Sequence, residues 1–245
     1  MLSFIFSLML CFLNAQSVLN VIESPIAVPN PNPGNDYFDP LILISKNGTG
    51  ISFTYDATSH VINYAILPNG SSSFGPSGQA FTSANEKCSA FIDENNNGAL
   101  CTSTASGQIQ VRRFSLSGQN LTFGPVSILG SSGGSSPIVC SGGGSNLVMG
   151  WKTKVLGKYY IGLCSDSNNW NILSPIVATQ GYASDFCLVG NGKGASLFIW
   201  NNATDNDTNH GQYYSQRINV NNQSLDTPLL LLECSPFKQD HLISS

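Results

Sequence analysis

The chain has 245 residues, of which only 10% are charged, and a formal net charge of −4. Its three arginines, Arg112, Arg113 and Arg217, form no basic stripe able to neutralise phosphates, which excludes nucleic acid as a partner. A chain of this length buries about 70% of its unfolded surface, so the low charge reads as a strand-rich, sugar-coated exterior and not as disorder.

The N-terminus opens on an uncharged apolar run, Met1 to Leu13, followed by Asn14-Ala15-Gln16-Ser17 with small residues suited to signal-peptidase cleavage. Residues 1–17 are expected to be a secretory signal, too short to span a bilayer comfortably. No later stretch is long enough to cross, so the exported chain is expected to be extracellular, with no membrane span.

From about residue 18 onward the sequence reads as a single repeat domain. A proline returns at Pro25, Pro76, Pro125, Pro175 and Pro228, at intervals of 51, 49, 50 and 53 residues. Such a period marks a ring or stack of one supersecondary unit. Four units, about 40–83, 84–130, 131–179 and 180–232, each hold four short apolar runs. The first runs are Leu41–Ile44, Cys88–Ile92, Pro137–Cys140 and Phe186–Val189, each closed by a Gly/Asn turn. The second runs are ISFTY, ALCTS, LVMGW and ASLFIW; the third are VINYAIL, IQVRRFSL, YYIGLCS and YYSQRINV; the fourth carries the proline.

Runs this short, rich in Val, Ile, Phe and Tyr and bounded by Asn-Gly-type turns, are antiparallel strands, and no helical apolar stripe survives the Gly, Pro and Asn that cut it. The expected fold is all-β: a β-propeller-like set of four repeated four-stranded antiparallel units plus terminal strands. A proline fixed in the fourth strand fits the outer edge of a blade, where a missing N–H costs no ladder bond. Trp151 and Trp200 are expected between neighbouring blades. A fourth-strand phrase at Ser24–Val28 and a first-strand phrase at Cys234–Leu242 flank the four units.

The fourth unit resembles the blades of secreted β-propeller-type repeat proteins, which read glycine, apolar strand, Trp, acidic loop, Tyr-x-Gln-Arg. The matching residues are Gly194, Leu197 to Trp200, the Asp205/Asp207 loop, Tyr214, Gln216 and Arg217. The third unit keeps Trp151, Tyr159 and Tyr160, the second keeps Arg113, and the first keeps little. The resemblance implies a propeller fold and an extracellular protein with a mostly binding role.

Cysteine use agrees with export. Without Cys11 six remain, and an even number in a secreted chain favours disulfides. Cys88 and Cys101 lie on adjacent runs joined by one hairpin and are expected to bridge. Cys140, Cys187 and Cys234 are read as equivalent first-strand positions, and their pairing and that of Cys164 stay open. Sequons at Asn47, Asn69, Asn120, Asn202, Asn206 and Asn222 point to a glycoprotein.

Candidate sites are few. Asp205, Asp207 and Asn209 alternate in the longest second-to-third-strand loop, as calcium ligands do, but two sequons share the loop and no bidentate Glu follows. Asp93–Gly98 matches D-x-N-x-N-G and reads as an Asn-rich hairpin. Gly130–Gly134 fits G-x-S-x-G without the strand–helix context a nucleophile elbow needs. His60, His210 and His241 have no evident partner for base catalysis. Cys164–Trp170 faintly matches the Asp-box turn of sialidase-like propellers, yet the adjacent Arg112 and Arg113 point to opposite faces.

The expected function is a secreted or cell-surface glycoprotein that binds a carbohydrate or an extracellular protein through propeller loops, without catalysis. A sialidase-like extracellular glycosidase and a structural coat or matrix protein are the alternatives.

Overall fold

The computed structural model describes residues 40–86, 88–129, 133–153, 158–164, 170–177, 186–203 and 211–234. Every regular element among them is a strand. The first sheet is β1 (Leu41–Ile44), β2 (Gly50–Asp56), β3 (Val61–Leu67) and β4 (Ser77–Phe81). The second is β5 (Ser89–Ile92), β6 (Asn97–Ser103), β7 (Ile109–Ser117) and β8 (Asn120–Leu129). The third is β9 (Gly134–Gly143), β10 (Asn146–Thr153), β11 (Lys158–Cys164) and β12 (Trp170–Val177). The fourth is β13 (Phe186–Gly190), β14 (Ala195–Ala203) and β15 (Gly211–Asn219), with β16 (Ser224–Leu225) and β17 (Leu229–Cys234) both paired along β15. Each sheet is an antiparallel meander in chain order, the four-strand repeat expected of an all-β propeller-like fold.

The first hairpin of each unit is held by the same device. A short polar side chain just past or near the end of the first strand accepts backbone N–H bonds from the turn. Ser45 Oγ takes Thr49 N at 3.1 Å, Asp93 Oδ1 takes Asn95 N and Asn97 N at 2.8 Å each, and Asn191 Oδ1 takes Lys193 N at 2.8 Å. Ser141 Oγ takes Gly143 N at 3.2 Å in the third unit. These side chains satisfy turn donors that the ladder leaves free, which is why the turns are Ser/Asn/Asp-rich.

The sheets pack through their innermost strands: β1 meets β5, β5 meets β9, and β9 meets β13. Period-two alternation gives each sheet two faces. One buried cluster joins Ile51, Phe53, Ile62 and Ile66 of the first sheet to Leu100, Phe114 and Leu116 of the second. Another joins Ala99, Cys101 and Val111 to Val139, Met149 and Trp151 of the third. The last joins Val148, Tyr159 and Ile161 to Phe198, Trp200 and Ile218 of the fourth. Trp151 and Trp200 therefore lie between sheets, as expected, and each stacks on a cross-strand tyrosine: Tyr160 at 5.7 Å and Tyr214 at 5.6 Å.

Side-chain ties cross the sheet boundaries. Arg112 donates through Nε to Gly124 O and through Nη1 to Ala80 O of the first sheet, each at 2.7 Å, with its guanidinium 4.7 Å from the Phe123 ring centre. Glu86 Oε1 accepts from Ser136 N of the third sheet at 2.7 Å. In the fourth sheet Gln216 holds the place Arg112 holds in the second, and its Nε2 donates to Asp226 O at 2.6 Å. Tyr214 and Gln216 of the Tyr-x-Gln-Arg phrase are thus architectural, stacking on the Trp and anchoring the outer segment.

The recurring prolines fall on the outer strands. Pro76 directly precedes β4, Pro125 lies in β8, Pro175 in β12, and Pro228 directly precedes β17. Pro125 and Pro175 coincide with register shifts, where Arg112 and Phe114 pair with Val126 and Phe123, and Tyr159 and Ile161 pair with Ile176 and Leu173. A bulge leaves a residue unpaired, so an absent N–H there breaks no ladder bond. Pro25 lies outside the described residues.

Two cysteine expectations need correction. Cys88 and Cys101 are free thiols, not a bridge. Cys101 pairs in register with Ser89 and packs toward the third sheet, whereas Cys88 packs toward the first, so the two sulfurs sit on opposite faces of one sheet. Cys234 does not open a first strand. It ends β17, opposite Gly211.

Candidate functional site

A meander places its first-to-second and third-to-fourth turns at one end of each sheet and its second-to-third turn at the other. At the former end a cleft of about 570 Å³ opens between the second and third sheets. Its walls come from the β5–β6 hairpin (Asp93, Asn95, Asn97), from β7 and β8 (Arg113, Phe123), and from the β9–β10 hairpin (Asn146).

Local sequence makes the room. Gly98 keeps the hairpin close to its neighbours, since a Cβ there would lie 2.2 Å from Phe91 O and 2.4 Å from Phe114 Cζ, on the face turned to the first sheet. The opposite wall is Ser141, Gly144 and Ser145, which project little. Phe91 supplies an apolar floor, while Phe114 and Phe123 border the cleft with their backbone and turn their rings, held edge-on at 6.2 Å, toward the first sheet. The Asn95 and Asn97 side chains are exposed at the hairpin tip, while the Asp93 carboxylate is committed to their backbone N–H groups. Arg113 points to the cleft side of the second sheet, its Nη2 3.5 Å from Cys164 Sγ, and Arg112 points to the first sheet. The two arginines are thus split across the sheet, as adjacent strand residues must be.

The hairpin at Asp93–Gly98 is the Asn-rich turn its sequence implied, with Asn96 in the left-handed region at φ 62°. Asp205, Asp207 and Asn209, the proposed calcium ligands, lie outside the described residues, as do His210, His241 and the segment 1–17. Among the described residues no group of three or more His, Cys, Asp or Glu side chains could hold a metal ion. His60 shares a hydrogen bond of 3.2 Å between its Nδ1 and Tyr55 Oη. At the G-x-S-x-G phrase, β9 begins at Gly134 and no helix follows, so the nucleophile-elbow geometry is absent there.

Among the described thiols, Cys88, Cys101, Cys140 and Cys187 are not poised as nucleophiles. Burial pushes Cys88 up to about 12 and Cys140 up to about 11, and raises Cys101 well above the ordinary thiol value. Cys187, the exposed one, is also raised by partial desolvation.

The sequons Asn47, Asn69, Asn120 and Asn222 occupy exposed positions, all at the end where the cleft opens. Asn202 lies in β14 opposite Gln212, and Asn206 is outside the described residues. The cleft itself was not anticipated from the sequence. The available signal was the adjacency of ENNNG and SGGGS, two small-residue turns one repeat apart.

No family model matches the chain, and no curated protein matches it in sequence. Its fold is similar to that of several solved structures. One is hydrazine synthase of Kuenenia stuttgartiensis, at 9% identity and a TM-score of 0.55, covering 80% of this chain and 55% of that one. A Hadza microbial sialidase matches at 10% identity and a TM-score of 0.52, covering 81% and 47%. A mutant of the Aleuria aurantia lectin, in complex with α-methyl-L-fucoside, matches at 14% and 0.51, covering 79% and 60%. The chain spans about half to three-fifths of the length of these proteins, and at such identities the likeness is one of fold.

Proposed function

We propose that this chain is a secreted or cell-surface glycoprotein that binds carbohydrate, without catalysis, in the cleft between its second and third sheets. The observation that carries this reading is the cleft's chemistry. The apolar Phe91 ring meets the C–H face of a sugar ring, while the carboxamides of Asn95, Asn97 and Asn146 meet its hydroxyl rim. Similarity of fold to a fucoside-bound lectin and to a sialidase supports a carbohydrate-related role.

The non-catalytic reading rests on the carboxylates. Two-carboxylate glycosidases set an acid and a base or nucleophile about 5–9 Å apart across the scissile bond. Among the described residues lining the cleft, Asp93 is the one carboxylate, and it is tied to its own turn.

A glycan array read with purified protein tests the reading. Binding to a defined sugar class, lost at least about tenfold in the Asn95→Ala/Asn146→Ala double variant with unchanged thermal unfolding, supports it. Turnover of a fluorogenic glycoside panel would replace it with the glycosidase alternative. Absence of any glycan binding, together with concentration-dependent assembly in light scattering, would favour a structural role.

A further inference from the structure

We infer that an N-linked glycan on Asn120 stands at the mouth of the cleft and sets the size of ligand admitted, an inference resting on the proposed function above. Asn120 is the first residue of β8, exposed and paired with Ser117 across the β7–β8 turn. Two residues on, Thr122, which completes the sequon, lines the cleft. Residues i and i+2 of a strand share a face and lie about 7 Å apart, so Asn120 projects on the side of the second sheet that walls the cleft.

The register agrees. Thr122 pairs with Ser115, also a cleft residue, and the alternate positions Leu121 and Leu116 are buried against the first sheet. Ser115, Ser117, Asn120 and Thr122 therefore make one exposed polar strip running from the cleft wall to the sequon. The other sequons at this end, Asn47, Asn69 and Asn222, belong to the first and fourth sheets, which do not wall the cleft. A branched glycan on Asn120 excludes bulky ligands from the mouth while a single sugar residue still reaches the floor. The attachment is to the carboxamide nitrogen of an exposed side chain, so it needs no rearrangement of the sheet.

The test uses the full chain secreted from a glycosylating host. Peptide mapping after enzymatic deglycosylation reads occupancy at each sequon, and calorimetry compares a monosaccharide with a branched oligosaccharide of the bound class. Asn120→Gln, or glycan removal from the folded wild type should that variant fail to fold, leaves monosaccharide affinity unchanged. It raises affinity for the branched ligand about tenfold, and Asn222→Gln raises neither. An unmodified Asn120, or equal gains from both variants, overturns the inference. So does a branched-ligand affinity indifferent to the Asn120 glycan while the monosaccharide still binds. If no variant binds any sugar, the cleft reading itself fails and takes this inference with it.

Discussion

The boundary between the second and third sheets and that between the third and fourth are built from the same strands of the same repeat, yet one opens into a cleft and the other, among the described residues, is closed by aromatic packing. At the closed boundary Phe198 sits at the centre of a ring cluster, 5.4 Å from Tyr159, 5.4 Å from Phe186 and 5.5 Å from Trp200. At the open one the wall nearest the turns is Ser141, Gly144 and Ser145, and the buried cluster is made of Ala, Cys, Ile, Val, Leu and Met around one Trp. Side-chain volume, not strand number or topology, therefore decides where a repeated fold leaves space for a ligand.

The largest way to break the contrast is to empty the closed boundary. Phe198→Ala removes a fully buried ring and is expected to cost about 3–5 kcal/mol, read as a lowered denaturant midpoint with an unchanged slope. At the open boundary the main latch is polar. Glu86→Ala strips the acceptor from Ser136 N and Ser103 Oγ and is expected to cost about 1.5–3 kcal/mol. Gly98→Ala forces a methyl against Phe91 O and is expected to cost about 1–3 kcal/mol, with sugar binding weakened as Phe91 shifts.

The closed boundary also carries a titration. Cys140 packs there, and its folded pKa of about 11 lies above the ordinary value of 9.0, so folding favours the neutral thiol. That contribution is complete below pH 9 and is lost as pH rises through about 11. Thermal melts between these limits are expected to fall less steeply in Cys140→Ala than in the wild type. The smallest structural effect belongs to Ser115→Trp, an exposed cleft residue. It is expected to leave stability within about 0.5 kcal/mol while filling the cleft and abolishing sugar binding.

The architecture was legible because it is written in periodic signals. The fifty-residue proline spacing tracked the outer strands, and the Gly/Asn turns tracked the inner hairpins. Trp151 and Trp200 lay between sheets because ring size leaves few other places to bury them. The Tyr-x-Gln-Arg phrase was legible as a motif but not as a job. That Gln216 ties down Asp226 O becomes visible only with the register, as does its equivalence to Arg112. The Cys88–Cys101 bridge failed because sequence proximity across a hairpin says nothing of facing, and one residue of offset puts the sulfurs on opposite sides. The cleft escaped notice because it is made of what is missing, small residues on two sheets about fifty positions apart.

The claim that carbohydrate occupies the gap between the second and third sheets is tested most directly by amide shift mapping during a sugar titration. Perturbations are expected to concentrate at Asn95–Gly98, Arg113–Ser115 and Ser145–Leu147, with the Phe198 surroundings silent. Perturbations that leave those three segments untouched and gather elsewhere on the molecule would contradict it.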